Sequence, residues 1–200
     1  MKGFKGHLAE AAGKNTHMTH IEDLILDGGV KGARQAINAL RSLRDMLSGN
    51  SKKSVDITVK WDGAPAVFAG EDPRDGSFFV AKKGIFNANP KIYKSHEDIK
   101  ADTSGDLTKK LILAFDELQK LGIKGVIQGD FMFDNSDLKK ETIDGVSYTV
   151  FHPNTIAYTV PADSALAKEI RSAKIGIVWH TIYTGATFET MQAEFGREIV

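Results

Sequence analysis

A lysine beside a tight turn is the first group in this chain with the makings of a nucleophile. Lys60 follows Val55, Ile57 and Val59, which alternate with polar residues, and precedes Trp61, Asp62 and Gly63. A primary amine held against a low-polarity wall loses proton affinity, because desolvation disfavours the ammonium form. A neutral amine of that kind attacks electrophilic carbon or phosphorus. Other charged residues stand in suggestive places. Lys82 and Lys83 precede Gly84, and Asp130 interrupts the otherwise apolar run from Val126 to Phe133. Cations near Lys60 would help keep it neutral and would stabilise charge on a transferring phosphate. An acid in an apolar strand needs a partner if it is buried, which favours a functional reading of Asp130. Each feature also has a plainer account: an ordinary hairpin with a solvated lysine, a solvated basic turn, and an acid on an exposed strand face. His17 and His20 are three apart and would share a helix face, as metal ligands can. No third ligand stands at a defined spacing, and a helix capped by Thr19 with packed histidines accounts for them better.

These groups need elements to hold them. The period-2 run before Lys60 predicts a strand. Asp62-Gly63 predicts a hairpin turn in which glycine takes a positive φ, and Ala66, Val67 and Phe68 resume an apolar strand. Phe78 to Gly84 reads as the next strand, so residues 55–84 form an antiparallel meander. Upstream, residues 19–26 predict a short helix ending at Asp27-Gly28-Gly29. A second helix over 30–48 carries the stripe Ala33, Ile37, Leu40, Leu43 and Leu47. Residues 85–105 show no period and read as a long loop with a helical turn near 95–100. Asp106 reads as the cap of a helix over 107–121, ended by Gly122. Residues 125–133 predict a strand, and 142–151 a hairpin about Asp144-Gly145. A strand over 154–160, a helix capped by Asp163, and a strong strand over 175–183 follow; residues 186–200 show no clear closing element.

Bulk properties narrow the classes. The chain has 200 residues, enough for one domain with a core or for a domain and a small lobe. Its formal net charge is zero, which removes any global electrostatic argument for nucleic acid or membrane and leaves a local basic groove open. It has no cysteine, so disulfides and thiolate metal sites are excluded, and a cytoplasmic location is expected. No apolar run approaches the roughly 20 residues that span a bilayer, and the first residues carry no signal-peptide core, so no membrane partner is expected.

Lys60-Trp61-Asp62-Gly63 resembles the Lys-x-Asp-Gly nucleophile motif of the covalent nucleotidyltransferases, the superfamily of DNA ligases, RNA ligases and mRNA-capping enzymes. Lys82-Lys83-Gly84 resembles that superfamily's basic strand end, and Gly129-Asp130-Phe131 its acid-bearing strand, with Asp for the usual Glu. The three occur in the superfamily's order. The Lys-Trp-Asp-Gly-Ala-Pro-Ala stretch also resembles a family of large tailed-phage proteins, a likeness that carries no activity of its own. The first resemblance implies ATP (or GTP) and Mg²⁺ as cofactors and transfer through a lysine–nucleotide phosphoramide on Lys60. It implies that Asp62 orients the lysine or contacts the nucleotide beside Gly63, that Lys82 or Lys83 faces the phosphates, and that Asp130 contacts the ribose. It leaves the metal ligands unassigned and implies a nucleic acid with a 5′-phosphate end as acceptor. An aromatic from a later strand would stack on the base, with Phe151, Tyr158, Trp179 and Tyr183 as candidates. Pro65 stands where many ligases have Arg, as in some RNA ligases. A strand opening with Glu-Gly and a strand with two alternating lysines, both expected of the superfamily, are not found before Val200.

The expected fold is α+β, antiparallel sheets with packed helices resembling the ligase (ATP-grasp-like) nucleotidyltransferase lobe. A helical segment over 1–50 is expected to pack on a main domain over 51–200, incomplete at its C-terminal end if the absent motifs lie beyond it. Two alternatives stay open: a non-catalytic nucleotide- or nucleic-acid-binding phage protein on a degenerate ligase fold, and a structural or interaction protein in which the hairpin is only a hairpin.

Overall fold

The computed structural model describes residues 20–49, 61–87 and 89–195 of the chain. Lys60, the strand expected over 55–59, His17 and Thr19 lie outside the described residues. The chain divides into two compact units, Met1–Val59 and Lys60–Val200.

The described part of the first unit is helix α1, Ile21–Leu47. Gly29 breaks its regular dihedrals, at φ 52° and ψ −134°, so α1 is two helical segments meeting at a kink. Glycine reaches that positive φ without the steric cost of a Cβ, and the Asp27-Gly28-Gly29 punctuation marks the break. At the N-terminus the His20 backbone N–H donates to the Asp23 carboxylate at 2.8 Å, satisfying a donor that no helical carbonyl can reach.

The second unit is α+β. Its main sheet contains β1 (Ala66–Glu71), β2 (Phe78–Ala81), β3 (Val126–Asp134), β7 (Ile175–Thr184) and β8 (Gln192–Phe195), in the antiparallel order β2-β1-β3-β7-β8. A second sheet has the order β4-β5-β6, from Lys139–Ile143, Val146–Phe151 and Tyr158–Pro161. Helices α2 (His96–Asp102), α3 (Gly105–Leu118) and α4 (Ala165–Ser172) complete it. Central strand β3 is buried along its whole length, which explains why most of its residues on both faces are apolar, with Gln128, Asp130 and Asp134 as buried polar exceptions.

Each face of the main sheet has its own core. On one, Val67, Ala69, Val80 and Phe131 meet Leu111, Ala114, Phe115 and Leu118 of α3 and Ile99 of α2. On the other, Phe68, Phe79, Ala81 and Val126 pack with Ile85, Tyr183, Phe188 and Met191. A third cluster, Met132, Phe133, Phe151 and Ile170, joins the end of β3 to the second sheet and α4.

Several expectations shift by a residue or more. The N-cap position of α3 is Ser104, and Asp106 lies in the first turn, where a carboxylate still suits the positive end of the helix dipole. Ser164 rather than Asp163 caps α4, its Oγ accepting from the Ala167 N–H at 3.1 Å. The helical turn expected near 95–100, within the loop read over 85–105, forms as α2 over His96–Asp102, capped by Ser95. The strand expected over 154–160 begins only at Tyr158, and a closing strand, β8, pairs with β7 where no element was expected. The Asp144-Gly145 hairpin forms as expected, with φ of 49° and 80° at its two turn residues.

The turn between β1 and β2 is held by charge. Asp72, its side chain fully buried, accepts three hydrogen bonds from the Arg74 side chain, at 2.9, 3.2 and 2.8 Å, and lies 2.7 Å from Lys94 Nζ. The Arg74 hydrogen bonds hold the Asp72 carboxyl well below the usual carboxylate range, against the opposing effect of burial. A folded-state pKa below the unfolded value means that this contribution is present in full at neutral pH. It is lost as pH falls below about 4 towards the folded pKa. Asp72→Asn is therefore expected to destabilise the protein at pH 7 and to flatten the acid limb of its stability profile. Urea unfolding measured from neutral pH down to about pH 3 checks this; parallel wild-type and variant profiles would contradict it.

Candidate functional site

The segment Trp61–Pro65 lies against the central strand. Ala64 N–H donates to the Phe131 carbonyl at 3.0 Å, and Phe131 N–H donates to the Pro65 carbonyl at 2.9 Å, extending the β1–β3 ladder past the end of β1. The Ala64–Pro65 peptide is cis. A Cβ added to Gly63 would stand 2.7 Å from Met132 Sδ and from the Phe131 carbonyl oxygen, and 2.9 Å from Asp130 Cβ. Glycine is required here by the close approach of β3. The positive φ expected of a hairpin turn is not what selects it, since Gly63 is not among the positive-φ residues.

The second sheet grips the same segment from another direction. Tyr158 Oη accepts from the Asp62 N–H at 2.9 Å and donates to the Asp62 carbonyl at 3.2 Å. Asn154 Nδ2 donates to the Asp62 carbonyl at 3.1 Å and to its carboxylate at 2.9 Å. Asn154 is itself oriented by the Ile156 N–H, which donates to its Oδ1 at 2.8 Å. Trp61 lies over Tyr158, ring centroids 5.2 Å apart, and Tyr158 stacks on Phe151 at 5.5 Å. Asp62 thus orients the backbone of its own motif through Asn154 and Tyr158, two residues that nothing in the sequence singled out for this role.

Asp130 is buried to 9% exposure. Its register partner is Ala66, and Phe68 partners Gln128, so Asp130 and Gln128 leave the sheet on the face opposite Phe131. Among the described residues nothing donates a hydrogen bond to the Asp130 carboxylate, and the basic group within ion-pair distance of it is His180, with Nε2 3.8 Å away. His180 Nδ1 lies 2.7 Å from Thr181 Oγ1, and Tyr183 Oη donates to Gln128 Oε1 at 2.6 Å. Burial pushes the Tyr183 hydroxyl up to about 12, so it stays a donor at neutral pH. The His180–Asp130 pair was missed because a histidine in an apolar strand carries no sign of what lies across the sheet from it.

The two lysines part company with this group. Lys82 follows Ala81, which faces the Phe68 side, so alternation sends it to the helix-covered face. There its Nζ lies 2.9 Å from Asp102, at the end of α2. Asp102 also holds Lys91 at 2.6 Å and accepts from Tyr93 Oη at 2.7 Å. The Lys91 and Tyr93 hydrogen bonds, with that of Lys82, keep the Asp102 carboxyl ionised well below the usual range. Lys83 is exposed and makes no ion pair with the described residues. The structure therefore brings Gly63 to Asp130, holds Asp62 against Asn154 and Tyr158, and sets Lys82 on the other face of the sheet.

Of the aromatic candidates, Tyr158 borders Trp61 and Asp62, Phe151 is core, and Tyr183 is buried beside Gln128. Trp179 lines a separate pocket with Leu118, Leu121, Ile175 and Ile177. No group of three or more His, Asp or Glu side chains able to hold a metal ion occurs among the described residues, and the His17 proposal falls outside them.

Residues 15–200 match the family described as "Family of unknown function (DUF6267)". The chain belongs to that family. No curated protein and no solved structure matches the chain. In this family member, no helix among the described residues is long and apolar enough to cross a membrane.

The anchoring of the Trp61–Pro65 segment can be measured. Tyr158→Phe keeps the ring stack and removes both hydroxyl bonds to Asp62; it is expected to cost about 1 kcal/mol. Gly63→Ala forces a methyl group against the backbone of β3 and is expected to cost about 1–3 kcal/mol. Denaturant unfolding of the two variants reads both, and a Gly63→Ala protein as stable as wild type would refute the close approach.

Proposed function

We propose that this protein transfers a nucleoside monophosphate through Lys60, in the manner of the ligase-like nucleotidyltransferases it resembles. The reading is carried by the contact of Gly63 with Asp130, which sets two motifs, distant in sequence and weak singly, against each other in space. The ε-amine of Lys60 attacks the α-phosphorus of ATP or GTP, the bond to the pyrophosphate oxygen breaks, and the amine proton passes to solvent. A nucleotide-carrying phosphoramide remains, from which a 5′-phosphate end of RNA or DNA would take the nucleotide. Asp62, Asn154 and Tyr158 fix the backbone immediately after the nucleophile, which is the positioning that such a step requires. Asp130, its carboxylate open to a further donor, contacts the nucleotide sugar.

Mg²⁺ is normally held by one or two carboxylates together with the substrate's phosphates rather than by an all-protein cage. The described residues offer no group of three or more such ligands, so the ion would be held chiefly by the nucleotide's phosphates. When bound to the nucleotide, the ion supplies neutralisation of phosphate charge.

One observation favours a second reading, a non-catalytic nucleotide- or nucleic-acid-binding protein on the same fold. Lys82, the expected phosphate cation, is engaged by Asp102 on the opposite face. Incubation of the full chain with Mg²⁺ and ATP or GTP, followed by intact-mass measurement, separates the two. The transfer reading predicts an added nucleoside monophosphate that is lost in Lys60→Ala and strongly reduced in Asp130→Ala. No adduct from folded wild-type protein rules out transfer, and nucleotide binding without an adduct selects the second reading.

A further inference from the structure

Two cations, Lys140 and Arg171, converge on one face of the second sheet, in a pocket that the reading above does not use. Lys139 and Lys140 come from β4, Arg171 from the last turn of α4, and Leu138, Thr149 and Ala162 complete a concavity of about 410 Å³. Lys140 is the register partner of Thr149, so the two side chains leave the sheet on the same face. Arg171 comes to that face from the helix. Its Nη1 donates to Thr149 Oγ1 at 2.8 Å, and Thr149 is only 3% exposed.

That bond matters for what the pocket can hold. A guanidinium offers five N–H donors in a planar fork, and an exposed arginine gives up much rotamer freedom when it binds. Here one donor is spent on a rigid, buried acceptor, which fixes the plane and leaves the others available. No carboxylate lines the pocket, and none lies within ion-pair distance of Lys139, Lys140 or Arg171 among the described residues. Several cations elsewhere in this unit are neutralised, Lys94 and Arg74 by Asp72, Lys82 and Lys91 by Asp102, Lys120 and Lys174 by Glu117, whereas here a lysine and an arginine with no ion pair among the described residues share one concave face. Lysines on an edge strand also discourage edge-to-edge pairing, as on β4. That role gives no reason for an arginine on a neighbouring helix to be pinned over the same face.

We propose that this pocket binds a phosphate group, either a compact phosphate anion or the phosphodiester backbone of a single-stranded nucleic acid. An arginine fork with a flanking ammonium group matches tetrahedral oxyanions carrying more than one charge or set in a series, and a lone carboxylate would leave part of the positive charge uncompensated. The site is independent of Lys60, and its test needs no nucleotide transfer.

The full-length chain is titrated, without ATP or Mg²⁺, with pyrophosphate by calorimetry and with a short fluorescein-labelled single strand lacking a terminal phosphate by anisotropy. The strand titration is repeated from about 50 to about 200 mM salt. Lys140→Gln/Arg171→Gln is expected to bind about tenfold or more weakly and to lower the salt slope by about two. Lys120→Gln/Lys124→Gln, which removes the same charge at other exposed positions, should bind as wild type does. Weakening with both ligands identifies a compact phosphate site, and weakening with the strand alone identifies a backbone site. The proposal is overturned if wild type binds neither ligand, if the first variant binds both as tightly as wild type, or if the control variant loses as much. Should Arg171→Gln alter the thermal unfolding curve, Lys140→Gln alone serves, because its ammonium makes no hydrogen bond to the described residues.

Discussion

The contact between Gly63 and the central strand is the constraint on which the candidate site depends. β3 is buried over its whole length, so whatever lies against it must fit a surface that cannot yield. With no Cβ, Gly63 settles against Phe131, Met132 and Asp130, and the chain on either side is then fixed by the ladder bonds of Ala64 and Pro65. Trp61 and Asp62 are consequently delivered to the second sheet at the place where Tyr158 and Asn154 receive them. A motif that reads as a small hairpin is in fact the joint between two sheets.

This arrangement fixes each residue of the Trp-Asp-Gly stretch, so the chain that follows Lys60 in sequence is held at a rigid point. Rigidity of that kind is what catalysis by proximity needs, since a lysine on a mobile turn would gain little from neighbours. It also separates two functions of charge in the molecule. The Asp72 and Asp102 networks bind their cations tightly and hold the β1–β2 turn and the end of α2. Asp130 and the Lys140–Arg171 pocket instead have charge that the described residues leave uncompensated, the property expected of groups that meet something from outside. Among the described residues no buried side-chain nitrogen or oxygen lacks a hydrogen-bond partner, so these exceptions are accessible ones.

Much of the architecture is written in local pattern. The two helical segments of α1 and their break at Gly29, the amphipathic face of α3, the left-handed Gly122 that closes the 3-10 turn after it, and the hairpin at Asp144-Gly145 follow from periodicity and from residues that accept positive φ. Caps were misplaced by one or two residues, because Ser and Asp compete for the same role at neighbouring positions. The strand β8 was missed because four residues beside a loop have no period to read, and only the edge of β7 supplies their partner.

The sequence by itself determined the α+β class, most of the strands, and the presence of Lys60, Asp62, Gly63, Lys82, Lys83 and Asp130 as groups worth weighing. Only the tertiary structure decided that Asp130 lies beside Gly63, that Lys82 belongs to Asp102, and that Asn154, Tyr158 and His180 border the site. The physical reason is that period and propensity act over a few residues. Which strand lies next to which, and in what register, is fixed by burial summed over the whole sheet.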